Sequence, residues 1–162
     1  MPSLIPHLWF DKEADEAAAL YCSIFPNSRI VARRDFGEIP PGSGDHVSTV
    51  TFELDGQMVI ALNGGPHFEF NEAFSFFVEC ETQEEVDRYW TKLTADGGQE
   101  VQCGWLKDRF GLSWQIVPKI LDDLLSSDDR AAADRAMQAM LQMKKIDIKK
   151  LEAAYAGDPV TT

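Results

Sequence analysis

Four polar residues stand almost alone on apolar stretches of this chain. They are His7 in Pro6-His-Leu-Trp-Phe10, Asn63 closing Val59-Ile-Ala-Leu-Asn63, Ser75 in Phe74-Ser-Phe-Phe77, and Gln115 in Trp114-Gln-Ile-Val117. A buried polar group needs a hydrogen-bond partner. These four therefore either bond to one another and to water, or offer a ligand several neutral donors and acceptors. The second use suits a ligand bearing carbonyl or hydroxyl groups better than a strongly charged one. Histidine also titrates near neutral pH, so His7 is the candidate acid or base. Trp9, Phe77 and Trp105 either wall the same cavity or fill plain core.

Other reactive side chains point less clearly to chemistry. Cys103 precedes Gly104 at a strand edge, but a nucleophilic thiolate needs a base or a positive neighbour, and none is readable. Cys22 falls on a helix and reads as core. His67 and Phe68 lie in an irregular connection, either over a cavity mouth or on ordinary surface. Asp108 and Arg109 read as turn residues, with Asp108 able to orient a neighbour. The acidic run 122–129 reads as helix capping and solvated surface.

The elements that must position these residues come from periodicity. Alternation predicts a strand over 4–10, with Ile5, His7 and Trp9 on one face. Asp11 then opens a helix as N-cap, with Ala14, Ala17, Tyr21 and Ile24 at helical spacing. Strands follow near 28–36, 46–54 and 57–63, the last two joined by Asp55-Gly56, a hairpin signal. A loop rich in Pro and Gly fills 37–45. The order repeats further on. A strand over 74–80 precedes a helix opened by the capping box Thr82-Gln-Glu-Glu85, with Val86, Tyr89, Trp90 and Leu93 inward. Strands near 99–103, 104–109 and 112–118 complete it, the last two turning at Phe110-Gly111. On the final strand Trp114 and Ile116 share one face, and Ser113, Gln115 and Val117 the other. Helices then occupy 119–156, with Asp147 capping the last, and 157–162 reads as a loose tail.

The chain has 162 residues, enough for one domain with a sizeable core. The expected fold class is α+β. The modules span 4–63 and 74–118, with a helical extension over 119–156. The formal net charge of −12 argues against a phosphate-backbone partner, so no nucleic acid is expected. No apolar run approaches the roughly 18 residues of a membrane span, and the N-terminus has no basic, apolar leader pattern. Three cysteines, Cys22, Cys80 and Cys103, without CxxC spacing fit a reduced, cytoplasmic protein lacking structural zinc.

Several stretches resemble a known family. They are Pro6-His-Leu-Trp-Phe10, Leu62-Asn-Gly-Gly-Pro-His-Phe-Glu-Phe-Asn71, Phe74-Ser-Phe-Phe-Val-Glu-Cys80, Glu85-Val-Asp-Arg-Tyr-Trp90, Cys103 to Pro118, and Arg135 to Lys145. The chain is similar to the PhnB-like branch of the glyoxalase/bleomycin-resistance/dioxygenase superfamily, the vicinal-oxygen-chelate fold. That branch is often labelled 3-demethylubiquinone-9 3-methyltransferase. The resemblance implies two tandem βαβββ modules enclosing a cavity, and a homodimer, for which the Met-rich stripe of the long C-terminal helix is one candidate interface and coverage of its own core the alternative. By position, the superfamily's four metal ligands fall on His7, Ala61, Ser75 and Gln115. Only His7 is a strong ligand, so no metal and no other cofactor is expected. No glycine-rich strand-to-helix turn suggests an adenosyl cofactor. The expected function is binding of a small organic molecule by His7, Trp9, Asn63, Ser75, Phe77, Trp105 and Gln115. The alternative is an enzyme of the superfamily (lyase, dioxygenase or the labelled methyltransferase) using His7 as base or ligand.

Overall fold

A computed structural model describes residues 1–158. The chain divides into two compact units, Met1–Phe70 and Asn71 onward.

The first unit runs β1 (His7–Phe10), α1 (Ala14–Ile24), β2 (Arg29–Glu38), β3 (His46–Leu54) and β4 (Gln57–Asn63). Its sheet has the order β1-β4-β3-β2, with β1 parallel to β4 and the other pairs antiparallel. Asp55 and Gly56 both take positive φ (45° and 86°), as a two-residue hairpin with the sheet's twist requires. Leu8, Phe10, Val50, Phe52, Val59 and Ala61 are buried with Ala14, Ala17, Ala18 and Tyr21 of α1. The alanines let the helix sit close, and Tyr21 meets Phe52 at 6.2 Å between ring centroids. The first strand is shorter than alternation predicts, since Leu4 and Ile5 are exposed and pairing begins after Pro6. Nor does Asp11 cap α1. The position before the helix is Glu13, which makes no side-chain cap.

The second unit runs β5 (Ser75–Cys80), α2 (Gln83–Thr94), a 3-10 turn, β6 (Gln99–Glu100), β7 (Trp105–Lys107) and β8 (Ser113–Pro118). Its order, β5-β8-β7-β6, repeats the first sheet's connectivity strand for strand. Thr82 Oγ1 accepts from the Glu85 amide, and Glu85 reaches back to the Glu81 amide. Val86, Tyr89, Trp90 and Leu93 are buried as predicted. β6 and β7 are shorter than predicted because Cys103 and Gly104 both take positive φ (58° and 80°) and leave the sheet. Their amides donate instead to the carbonyls of Met143 and Lys144.

The extension comprises α3 (Lys119–Leu125), α4 (Arg130–Leu141) and α5 (Ile148–Ala156), the last two N-capped by Asp129 and Asp147. Val117, Leu121, Ile146 and Leu151 form its core, flanked by Leu124, Leu125, Met140 and Met143. Part of the Met-rich stripe thus covers its own chain, while Met137 and Leu141 are exposed. Gly157 ends α5 in the left-handed region. Residues 159–162 of the expected tail lie outside the described residues. Among the described residues no helix is long and apolar enough to cross a membrane.

Candidate functional site

Strands β5, β7 and β8 of the second sheet have one side packed against α2. Trp114 and Ile116 of β8, Leu106 of β7 and Cys80 of β5 are buried. Phe76 stacks on Trp114 at 4.9 Å between centroids, and Phe74 lies edge-on to Phe76. Alternation sends the intervening residues to the opposite face. Strand register arranges them in two rows across β5, β8 and β7. One row is Ser75–Ser113–Lys107 and the next is Phe77–Gln115–Trp105. Ser75, Phe77, Trp105 and Gln115, separated by up to forty positions in sequence, thus meet on one surface. Phe77 is more than half exposed, at 57%.

The polar row is wired unevenly. Gln115 Nε2 donates to Ser75 Oγ at 3.0 Å. Lys107 Nζ pairs with Glu72, which lies just before β5. Lys107 is also the register partner of Ser113 across β7 and β8. Ser113 is only 1% exposed, and its Oγ has no hydrogen-bond partner among the described residues. A buried hydroxyl left unmet costs about 1–3 kcal/mol. An exposed ion pair such as Lys107–Glu72 contributes little to stability. The side chains are 29% and 59% exposed respectively. Lys107 holds the Glu72 carboxyl below its usual range, chiefly by hydrogen bonding. Lys107 and Glu72 were not singled out from sequence. Alternation already put Ser113 on the face of Gln115, but only strand register could have joined Lys107 to it.

The hairpin that aims this row is held by a buried carboxylate. Asp108 Oδ1 accepts from the amides of Phe110 (2.9 Å) and Leu112 (3.1 Å), and Oδ2 accepts from Trp114 Nε1 (2.9 Å). Gly111 closes the turn at φ 87°.

In the first unit, His7 and Trp9 share a face with Ile60 and Leu62, their register partners on β4. Trp9 Nε1 donates to the Gly65 carbonyl at 2.9 Å, and the Phe68 ring meets the indole edge-on at 4.9 Å. His67 lies 6.3 Å from the same ring. Gly64 and Gly65 make this fold-back possible, since a Cβ on Gly64 would stand 2.5 Å from the indole. The two glycines serve the tryptophan and open no helix, so they do not fit a cofactor's phosphate or adenosyl group.

One sequence expectation changes here. Asn63 was expected to line a cavity, but it lies on the helix-facing side of β4. Its Oδ1 accepts from the Ala14 amide at 2.8 Å, and its Nδ2 donates to Ser48 Oγ at 3.0 Å. It caps α1 from a distance, in the place of Asp11. Ala61, the presumed ligand position on β4, is wholly buried toward α1, and the residues beside His7 are the apolar Ile60 and Leu62. Ser75 and Gln115 offer neutral oxygens and are bonded to each other. This donor set does not fit a divalent metal, which favours imidazole, thiolate or carboxylate. Among the described residues no three His, Cys, Asp or Glu side chains gather as a metal site.

The cysteines are not assembled for chemistry. Burial pushes the Cys80 thiol up to about 12, reinforced by the charge of Glu85, and burial also raises Cys22. His46 is exposed and pairs with Asp35 at 2.7 Å. A separate groove of about 640 Å3 lies along α4 and α5, bordered by Gln138, Met143 and Lys150. Arg135 on its wall is committed to capping α5 through the carbonyls of Ala154 and Tyr155.

Comparison with known proteins agrees with this geometry. Residues 2–117 match the family described as 3-demethylubiquinone-9 3-methyltransferase. A PhnB protein from Bacillus cereus is 30% identical, with a TM-score of 0.62 over 72% of this chain and 99% of that one. Two further structures share the fold at lower identity. One is a protein from Pseudomonas aeruginosa (19%, TM-score 0.61, 73% and 98% covered). The other is the fosfomycin resistance protein FosX from Listeria monocytogenes (17%, TM-score 0.53, 78% and 100% covered). No protein of curated function matches. The chain belongs to the 3-demethylubiquinone-9 3-methyltransferase family and is PhnB-like.

Proposed function

We propose that the protein binds a small organic molecule, without the superfamily's metal, on the open face of its second sheet. The observation that carries this is the pair of rows on that face. Aromatic, amide and aromatic side chains (Phe77, Gln115, Trp105) lie beside hydroxyl, hydroxyl and ammonium (Ser75, Ser113, Lys107). The first row suits an apolar or aromatic body, the second its oxygen function. His7 and Trp9 offer a second, smaller candidate surface in the first unit.

Binding without turnover is the better reading. The donors at the chelate positions are a mutually bonded Ser and Gln. His7 is exposed, and no carboxylate among the described residues pairs with it, whereas a general base is ordinarily oriented by a third group. The test is amide NMR of the intact protein against a fragment set of aromatic acids, amides and alcohols. Binders are expected to move the resonances of Ser75, Phe77, Trp105 and Gln115 together. Fragments that bind only elsewhere, for instance in the α4–α5 groove, would sink the assignment.

A further inference from the structure

We propose that the polar row receives the carboxylate of a small aromatic or otherwise apolar acid, and that Glu72 is a latch which the ligand displaces from Lys107. This inference rests on the second-sheet face being the binding site. It adds the charge of the ligand and one residue, Glu72, that the two rows lack.

Three observations converge on it. The first is the stranded Ser113 hydroxyl, almost fully buried and without a partner, on the face that carries Gln115 and Ser75. The second is the Lys107–Glu72 ion pair, whose lysine is the register partner of Ser113 on β7. The third is the donor count of the row. Gln115 Nε2 donates to Ser75 Oγ, which leaves the Ser75 hydroxyl hydrogen to be given away. With the bridge open, Ser75 and Ser113 hydroxyls and the Lys107 ammonium are three donors in one row, on strands about 4.8 Å apart. A row of donors calls for acceptor oxygens.

The exchange favours an anion. A neutral oxygen that displaced Glu72 would leave Lys107 without a counter-charge. A carboxylate replaces Glu72 as that counter-charge, and Glu72, already well exposed, turns to water. One ammonium and two neutral hydroxyls match a planar monoanion better than a tetrahedral dianion. The net charge of −12 gives no general attraction for anions, so recognition must be local.

The test compares benzoate, benzamide and phenylphosphonate by calorimetry and amide NMR at one ionic strength. The proteins are wild type, Ser113→Ala, Lys107→Met and Glu72→Gln. Benzoate is expected to bind the face about tenfold or more tightly than benzamide, and Lys107→Met to lose about as much. Glu72→Gln is expected to tighten benzoate severalfold, because the competing carboxylate is gone. A merely structural ion pair would not produce that gain. Ser113→Ala is expected to weaken benzoate without lowering the unfolding temperature, since it deletes a hydroxyl that bonds nothing. Benzamide binding as well as benzoate, or Glu72→Gln weakening benzoate, would overturn the latch and leave the face as a ligand site. Tighter binding of phenylphosphonate would overturn the carboxylate. No probe moving the face resonances would remove both this inference and the reading beneath it.

Discussion

The indole N–H of Trp114 ends on the carboxylate of Asp108, 2.9 Å away, with both residues buried. This bond fixes the register of the hairpin on which the candidate site depends. Trp114 must face α2 if Ser113 and Gln115 are to face outward, and a slip of one residue would exchange the two faces. Removing the carboxylate in Asp108→Ala strands the Trp114 indole and the Phe110 and Leu112 amides together. A loss of about 2–4 kcal/mol in urea unfolding is expected, with Asp108→Asn costing less because it keeps an acceptor. A loss below about 1 kcal/mol for the alanine variant would show that the bonds do not hold the turn.

Gly64 tests the first unit in the same way. An added methyl group would stand 2.5 Å from the Trp9 ring, too close for contact without movement. Gly64→Ala must swing the indole and break its bond to Gly65. The expected cost is about 1–3 kcal/mol, as for other overpacked sites. The near-ultraviolet circular dichroism of the tryptophans should change with it. An unchanged spectrum and stability would mean that Trp9 is not seated as described.

The fold was legible because its signals are local. The Asp55-Gly56 turn, the Thr82 capping box and the inward stripe of α2 each depend on residues a few positions apart. The strand alternation around Gln115 likewise placed Trp114 and Ile116 on one face and Ser113 on the other. The site was legible only in part. Asn63 looked like a cavity residue because a lone polar side chain on a strand carries no mark of which face it is on. Its partner, the Ala14 amide, is 49 positions away. Lys107 drew no reading from the sequence, and its place opposite Ser113 is a fact of register. Cys103 was given to a strand, but its positive φ and its bond to Met143 belong to the docking of the extension.

That docking yields a third prediction. The Gln83 side-chain amide imitates a strand, donating to the Ile146 carbonyl at 2.9 Å and accepting from the Ile148 amide at 2.8 Å. Gln83→Ala removes both bonds between α2 and the entry to α5. Native-state hydrogen exchange at Ile148 should quicken markedly, and global stability should fall by about 1–3 kcal/mol. Unaltered protection at Ile148 would mean that the extension is held by its apolar core alone.

The last prediction concerns pH and Cys80. Burial raises this thiol from about 9 to about 12, with Glu85 adding to the shift. A group whose folded value is raised stabilises the native state fully below its unfolded value. It loses that contribution as pH rises toward the folded value. The window is therefore alkaline, from about pH 9 to about 12. Wild type should lose stability across it faster than Cys80→Ala, which lacks the titrating thiol, although the variant starts lower by the cost of a small cavity. In the native protein Cys80 should also react with thiol reagents far more slowly than in urea. Parallel pH profiles for the two proteins, or rapid native labelling of Cys80, would show that the thiol is neither buried nor shifted as the structure requires.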